Sequence, residues 1–190
     1  MTGRDVYHQL LIAGFGGQGV VLAGKLLATA ALAEEREVVW APSYGPEMRG
    51  GPVHCTVILS SGRIGSPEVS LADSLLIMDA ASMTKFAARI KPQGLLVVNS
   101  SLVRTPPNPH PFELVEVAAT EVAEALGEPR VANVVMLGAF LAARPIVSLD
   151  SVVDAMRVTA GKAWEHLVTV NRAALEKGAE LARAELKTRK

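Results

Sequence analysis

Two clusters of residues combine types and spacing that could do chemistry. The first is Gly14-Phe15-Gly16-Gly17-Gln18-Gly19, in which Gly14, Gly16 and Gly19 satisfy the pattern G-x-G-x-x-G. Such spacing suits phosphate binding. The first glycine permits a tight turn, the second lets the backbone approach a ligand, and the N-terminus of the next helix offers free N–H groups to an anion. A plainer reading stays open, in which the glycines serve only a sharp strand-to-helix turn and close packing. Gln18 adds an amide able to contact a ligand or a neighbouring chain. The second cluster is Ser43-Tyr44-Gly45-Pro46-Glu47-Met48-Arg49-Gly50-Gly51-Pro52, which gathers a ring, a carboxylate and a guanidinium in one loop. An arginine fixed in such a loop clamps a phosphate or carboxylate, or crosses a subunit boundary. Surface pairing of Glu47 with Arg49, worth little, is the alternative.

Neither cluster completes a nucleotide site. An NAD site expects Asp or Glu near the end of the second strand, about twenty residues on. Here that strand ends Val38-Val39-Trp40-Ala41-Pro42, and Glu34, Glu35 and Glu37 precede it, where they read as a solvated turn. No Gly-Lys-Ser/Thr comes after the glycines, so a P-loop is excluded. The histidines, His8, His54, His110 and His166, are scattered without ligand spacing, and no metal site is expected. Cys55, the sole cysteine, cannot form an internal disulfide or supply the roughly four ligands of an iron–sulfur cluster, and is expected to be buried. Asp79 and Asn99 close two strands on the ligand-binding edge, where either could touch a ligand, though capping the turn next to it is the commoner role. No nucleophile–base arrangement emerges, so no catalytic residue is assigned.

The elements that position these clusters can be read from the apolar runs. Residues 9–13 read as a buried strand, 14–19 as the glycine turn and 20–33 as a helix. Residues 38–41 read as a second strand ended by Pro42. Residues 53–60 alternate, with Val53, Cys55, Val57 and Leu59 on one face. Residues 75–78 form a strand, 80–90 a helix, 92–94 a turn, and 95–99 another strand. Four prolines make 105–111 an irregular connection. Next come a strand at 112–117 and a helix at 120–126. Residues 131–143 are apolar on nearly every side, as in a helix buried all round. Ser148 is an N-cap for a helix to about residue 158. A long amphipathic helix begins at about residue 163.

This order implies an α/β fold: a doubly wound, mostly parallel sheet with helices on both faces and a helical C-terminal portion. One domain is expected over 1–190, with an α/β core at 1–145 and C-terminal helices at 146–190. In such a sheet the loops after the first two strands open on the same edge, so the two clusters share one site.

Composition narrows the function. The 190 residues carry 19 basic and 19 acidic side chains, so no net charge draws the chain to nucleic acid or acidic membranes. Hydrophobic residues make up 49% of the chain, yet aromatics account for only 4%. The mean hydropathy of +0.28 fits either apolar surface covered by another subunit or one well-packed core. No apolar run approaches the ~20 residues that cross a bilayer, and no leader is evident at the N-terminus. The cytoplasm is the expected location.

The two clusters together resemble the gamma subunit of 2-oxoacid:ferredoxin oxidoreductases. The loop reading Tyr44-Gly45-Pro46-Glu47-Met48-Arg49-Gly50-Gly51 is most like the 2-oxoglutarate branch, since pyruvate-type relatives tend to carry Phe in place of Tyr. Asn133, Met136, Leu137 and Gly138 are similar to that family's Asn-x-x-x-Leu-Gly helix. The likeness spans roughly residues 8–145. It implies a non-autonomous subunit of a complex that decarboxylates a 2-oxoacid oxidatively, forms acyl-coenzyme A and reduces ferredoxin; a subunit of a pyruvate- or indolepyruvate-type complex, or a stand-alone nucleotide- or coenzyme-binding protein using the glycine turn, is the alternative. It places thiamine diphosphate on alpha and beta partner subunits and iron–sulfur clusters on other chains, including a ferredoxin-like delta subunit or ferredoxin. This chain is expected to bind no cofactor alone, to face coenzyme A or a neighbouring subunit, and to be able to self-associate in isolation. The residues implied are Gly14, Gly16, Gly17, Gln18, Gly19, Tyr44, Gly45, Glu47, Arg49 and Gly50, with Arg49 the anion partner.

Overall fold

A computed structural model describes residues 6–44, 51–104, 111–160 and 166–188. Its strands are β1 (Tyr7–Phe15), β2 (Glu37–Tyr44), β3 (Pro52–Ser60), β4 (Ala72–Ile77), β5 (Ile90–Asn99) and β6 (Glu113–Val117). Its helices are α1 (Val20–Ala33), α2 (Ala80–Phe86), α3 (Ala119–Ala125), α4 (Ala132–Ala143), α5 (Leu149–Ala160) and α6 (His166–Thr188). The strands form one sheet in the order β2-β3-β1-β4-β5-β6. β4, β5 and β6 run parallel to β1, whereas β3 is antiparallel to both β1 and β2. Five strands therefore point one way and β3 alone returns, so the sheet is mostly parallel, as the sequence implies.

Alternation along the strands divides the core. Leu10, Ile12, Cys55, Val57, Leu59, Leu76 and Val97 face the layer that holds α1, α4, α5 and α6. Leu11, Ala13, Ile58, Leu75, Ile77, Leu96 and Val98 face the other side, where Phe86, Val69 and Val103 cover them. α4 is buried from Ala132 to Leu141, the expected outcome for a helix without a polar stripe. It crosses α6 at two glycines. A Cβ on Gly138 would lie 2.0 Å from the Leu175 carbonyl oxygen, and one on Gly178 would lie 1.9 Å from that of Val135. Bare backbone on each helix thus meets backbone of the other.

Several boundaries depart from the sequence reading. β2 does not stop at Pro42 but runs through it to Tyr44, because β2 is an edge strand, where a missing N–H need not break a ladder. Residues 92–94 are not a turn. They lie inside β5, beside a register shift between Ala72 and Ser74, with Gln93 at φ 62° absorbing the irregularity. The helix expected over 80–90 ends at Phe86 and gives way to a 3-10 turn over Ala87–Arg89 before β5 begins. Glu34 is not a solvated turn residue. Its carboxylate accepts from the Ser148 N–H at 2.8 Å and the Ser151 hydroxyl at 2.7 Å, anchoring the start of α5 to the end of α1. Those hydrogen bonds, led by the Ser148 N–H, hold the Glu34 carboxyl below its ordinary range against the opposing effect of burial. Ser148 caps α5 as expected, its hydroxyl accepting from the Ser151 N–H at 3.0 Å. The proline-rich segment 105–110 lies outside the described residues.

Candidate functional site

The glycine turn is built by β1 ending at the same edge as β2. Gly14 is the last buried residue of β1, and a Cβ there would meet Gln18 Oε1 at 2.4 Å and Met78 Cβ and Val20 Cγ2 at 2.9 Å. Gly17 and Gly19 have φ of 110° and 75°, which other L residues rarely adopt. At Gly19 a Cβ would also lie 2.5 Å from the Asn133 amide nitrogen.

Gln18 braces the turn from within. Its Oε1 accepts from the Phe15 N–H at 3.0 Å, and its Nε2 donates to the Met78 carbonyl at 3.3 Å. The amide that the sequence offered to a ligand or neighbour is engaged with backbone of the loop and of the residue after β4. Met78 in turn donates its N–H to the Ala13 carbonyl at 2.9 Å, so the ends of β1 and β4 are joined beneath the turn.

The second cluster arrives by the β2–β3 hairpin. Tyr44 pairs with Val53, and Phe15 at the end of β1 pairs with Pro52. The Gly16 N–H donates to the Gly51 carbonyl at 2.9 Å, tying the two motif loops to each other. The shared edge inferred from topology is therefore realised. Gly45, Glu47, Arg49 and Gly50 lie outside the described residues, as does the side chain of Tyr44.

α1 points its N-terminus at this junction. The Ala23 N–H is the first to bond back, to the Gly19 carbonyl at 2.9 Å, and the first turn carries no acidic side chain. The N–H groups and dipole end of a fourteen-residue helix thus give this edge a fixed partial positive charge. Asn133, at the start of α4, donates its Nδ2 to the Gly19 carbonyl at 3.0 Å. Its Oδ1 is buried with no hydrogen-bond partner among the described residues.

Around the junction, polar groups hold structure. Asp79 caps α2, accepting from the Ser82 N–H and hydroxyl, each at 2.9 Å. Asn99 Oδ1 accepts from the Ala119 N–H at 3.1 Å, and its amide donates to Thr120 Oγ1 at 2.9 Å, securing α3. The Cys55 thiol is sealed beneath α1, donating to the Val20 carbonyl at 3.5 Å, and burial pushes it up to about 12. His54 packs its ring 4.9 Å from that of Phe86, and burial followed by nearby Lys85 and Arg89 lowers its affinity for a proton. Among the described residues, no three His, Cys, Asp or Glu side chains converge as metal ligands would. No described helix is long and apolar enough to cross a membrane. The arrangement offers an anion-friendly edge beside the base of the β2–β3 hairpin.

Two participants escaped the sequence reading: Gly51 as the acceptor that joins the loops, and Gly178 as the partner crossing for Gly138. An isolated glycine in a helical pattern was the available signal for Gly178.

The family profile for pyruvate ferredoxin/flavodoxin oxidoreductase matches residues 9–181. The chain belongs to that family. It is 39% identical over 92% of its length to the ketoisovalerate oxidoreductase subunit VorA of Methanothermobacter marburgensis, covering 36% of that protein. It thus spans about a third of the VorA relatives. It is 36% identical to the 2-oxoglutarate synthase subunit KorC of Methanocaldococcus jannaschii, over 92% of this chain and 94% of KorC. In structure it is similar to the gamma subunit of a keto/oxoacid ferredoxin oxidoreductase from Geobacter sulfurreducens, with TM-score 0.79 and 34% identity, covering 93% of this chain and 99% of that one. Its fold also matches, with TM-score 0.85 at 22% identity, 96% of this chain and 32% of a 2-oxoglutarate:ferredoxin oxidoreductase from Magnetococcus marinus, a structure with 2-oxoglutarate, coenzyme A and succinyl-CoA bound.

Proposed function

We propose that this family member acts as the gamma-type subunit of a 2-oxoacid:ferredoxin oxidoreductase, with residues 1–190 forming one domain that performs no chemistry unaided. Thiamine diphosphate, when bound by the partner subunits, supplies the carbanion chemistry of oxidative decarboxylation. Cluster chemistry also falls to partners, because one sealed thiol cannot provide the ligands an iron–sulfur cluster requires.

This chain's own contribution is a surface. The observation that carries the reading is the bond from Gly16 to Gly51, which joins the glycine turn and the α1 N-terminus to the base of the β2–β3 hairpin. A phosphate of coenzyme A fits the N–H groups and dipole of α1, with Gly14, Gly16, Gly17 and Gly19 permitting close approach and Gln18 fixing the turn. From the resemblance, Tyr44, Gly45, Glu47, Arg49 and Gly50 are assigned to the same role, with Arg49 as the cation for an anionic group.

The substrate is read as 2-oxoglutarate on the strength of Tyr44 and of KorC, which this chain matches almost end to end. The greater identity to VorA favours a second reading, a branched-chain 2-oxoacid. Reconstitution with the thiamine-bearing and ferredoxin-like partners tests both, by measuring coenzyme A-dependent reduction of ferredoxin with each 2-oxoacid. Turnover with 2-oxoglutarate and none without this chain is the expected result. Turnover by this chain alone would overturn the subunit role. In the complex, Arg49→Ala should raise KM for coenzyme A at least tenfold while leaving assembly intact. An unchanged KM removes that residue from the coenzyme's path.

A further inference from the structure

A cleft of about 370 Å³ lies where α1, α4, α5 and α6 meet. Leu22 and Leu26 of α1, Val131 ahead of α4, Met156 of α5 and Leu167 and Val168 of α6 give it apolar walls. Its two charged residues, Glu128 and Arg130, satisfy each other. The guanidinium Nε and Nη2 donate to the two carboxylate oxygens at 2.7 and 2.8 Å. The lining therefore offers an anion or a cation no uncommitted charge. Clefts of this size and character hold small, mostly apolar molecules.

One buried polar atom stands out on this lining. Asn133, which lines the cleft, is only 1% exposed. Its Nδ2 is committed to the Gly19 carbonyl at 3.0 Å, and its Oδ1 has no hydrogen-bond partner among the described residues. The second asparagine of the cleft is engaged elsewhere, its Nδ2 donating to the Leu167 carbonyl at 2.7 Å within α6. Native proteins rarely leave a buried acceptor unsatisfied, because its lost hydration is then uncompensated. An amide oxygen in apolar surroundings calls for a hydroxyl or N–H group and discriminates against a molecule that lacks one.

We propose that this cleft binds a small neutral molecule of phenol-like chemistry, an apolar body carrying one donor group that bonds to Asn133 Oδ1. The walls supply the burial, and the amide fixes which end of the molecule points inward. The same amide holds the glycine turn, so the occupant is felt there: a donor on Oδ1 polarises the amide and strengthens its bond to Gly19.

Phenol and toluene, equal in size, are the probes, titrated into the nitrogen-15-labelled full chain and followed by NMR. Toluene leaves water more readily, so apolar walls alone would favour it. With the donor bond, phenol should bind at least as tightly as toluene, with saturable shifts of the Asn133 side-chain amide and of the Gly19 and Val168 backbone amides. Asn133→Leu should turn the preference toward toluene by about tenfold or more. Val168→Trp, which fills the cleft from its half-buried wall, should abolish binding of both while circular dichroism and Tm stay near wild type; it tests the location should Asn133→Leu not fold. Absence of saturable shifts for phenol overturns the proposal. So does a wild type that prefers toluene, or phenol binding that survives Val168→Trp.

Discussion

The amide of Asn133 donates to the carbonyl of Gly19 across 3.0 Å, joining two residues 114 positions apart. This bond explains why the Asn-x-x-x-Leu-Gly helix accompanies the glycine turn. Asn133 holds the turn at one end of the motif, and Gly138, five residues on, lets α6 lie against α4. One buried helix thus fixes both the candidate site and the C-terminal helix that covers it.

Removing that tether has a directional outcome. Asn133→Ala leaves the Gly19 carbonyl without its side-chain donor and should lower stability by about 1–3 kcal/mol in urea unfolding. Asn133→Asp should be worse at pH 7, because an ionised carboxylate opposes the carbonyl. Acidification should recover part of the loss as the acid protonates and donates. Equal stability of the two variants across pH would contradict the assigned bond.

The α4–α6 crossing has no room for a side chain. Gly138→Ala and Gly178→Ala each drive a methyl into a backbone carbonyl and should each cost at least about 2 kcal/mol. Together they should cost less than the sum, since the first substitution already separates the helices. Denaturation midpoints of the four proteins provide the comparison.

Cys55 gives a chemical readout of opening. With the thiol buried and its proton held to about pH 12, the native chain should not react with a disulfide reagent at pH 8. One equivalent should react once denaturant unfolds it. Full labelling of the folded protein within minutes would be incompatible with the seal under α1.

His8 makes stability sensitive to acid. Its ring is buried against Phe140 and bonded to Ser74 Oγ at 3.1 Å. Burial lowers it from 6.5 to about 4, with Asp73 opposing and Arg144 and Lys91 adding. The unfolded chain therefore binds the proton first. This contribution is complete above pH 6.5 and is lost as pH falls from 6.5 toward 4, by at most about 3 kcal/mol. Unfolding of His8→Gln measured over that window should lack this slope, and a slope equal to wild type would assign it to other groups.

Much of this was legible because single elements announced themselves. The glycine turn lay between a strand and a helix, β3 alternated, α4 lacked any polar stripe, and Ser148 and Asp79 stood where caps belong. The features that escaped notice depend on neighbours. Pro42 is tolerated because β2 is the edge strand among the described residues, and the irregularity at Gln93 is defined only against β4. Glu34 acquires its role from serines more than a hundred residues away. At the candidate site, the meeting of the two loops could be inferred from strand direction, whereas the bond from Gly16 to Gly51 required the hairpin's register.

The returning strand β3 makes the hairpin arms a ruler for the loop they carry. Because side chains alternate along a strand, adding two residues to each arm would move the tip outward by about 7 Å and turn no side chain over. Adding one would send every core residue of the extension to the wrong face. The reach of the hairpin arms can thus be reset in paired steps, leaving the six-stranded scaffold undisturbed.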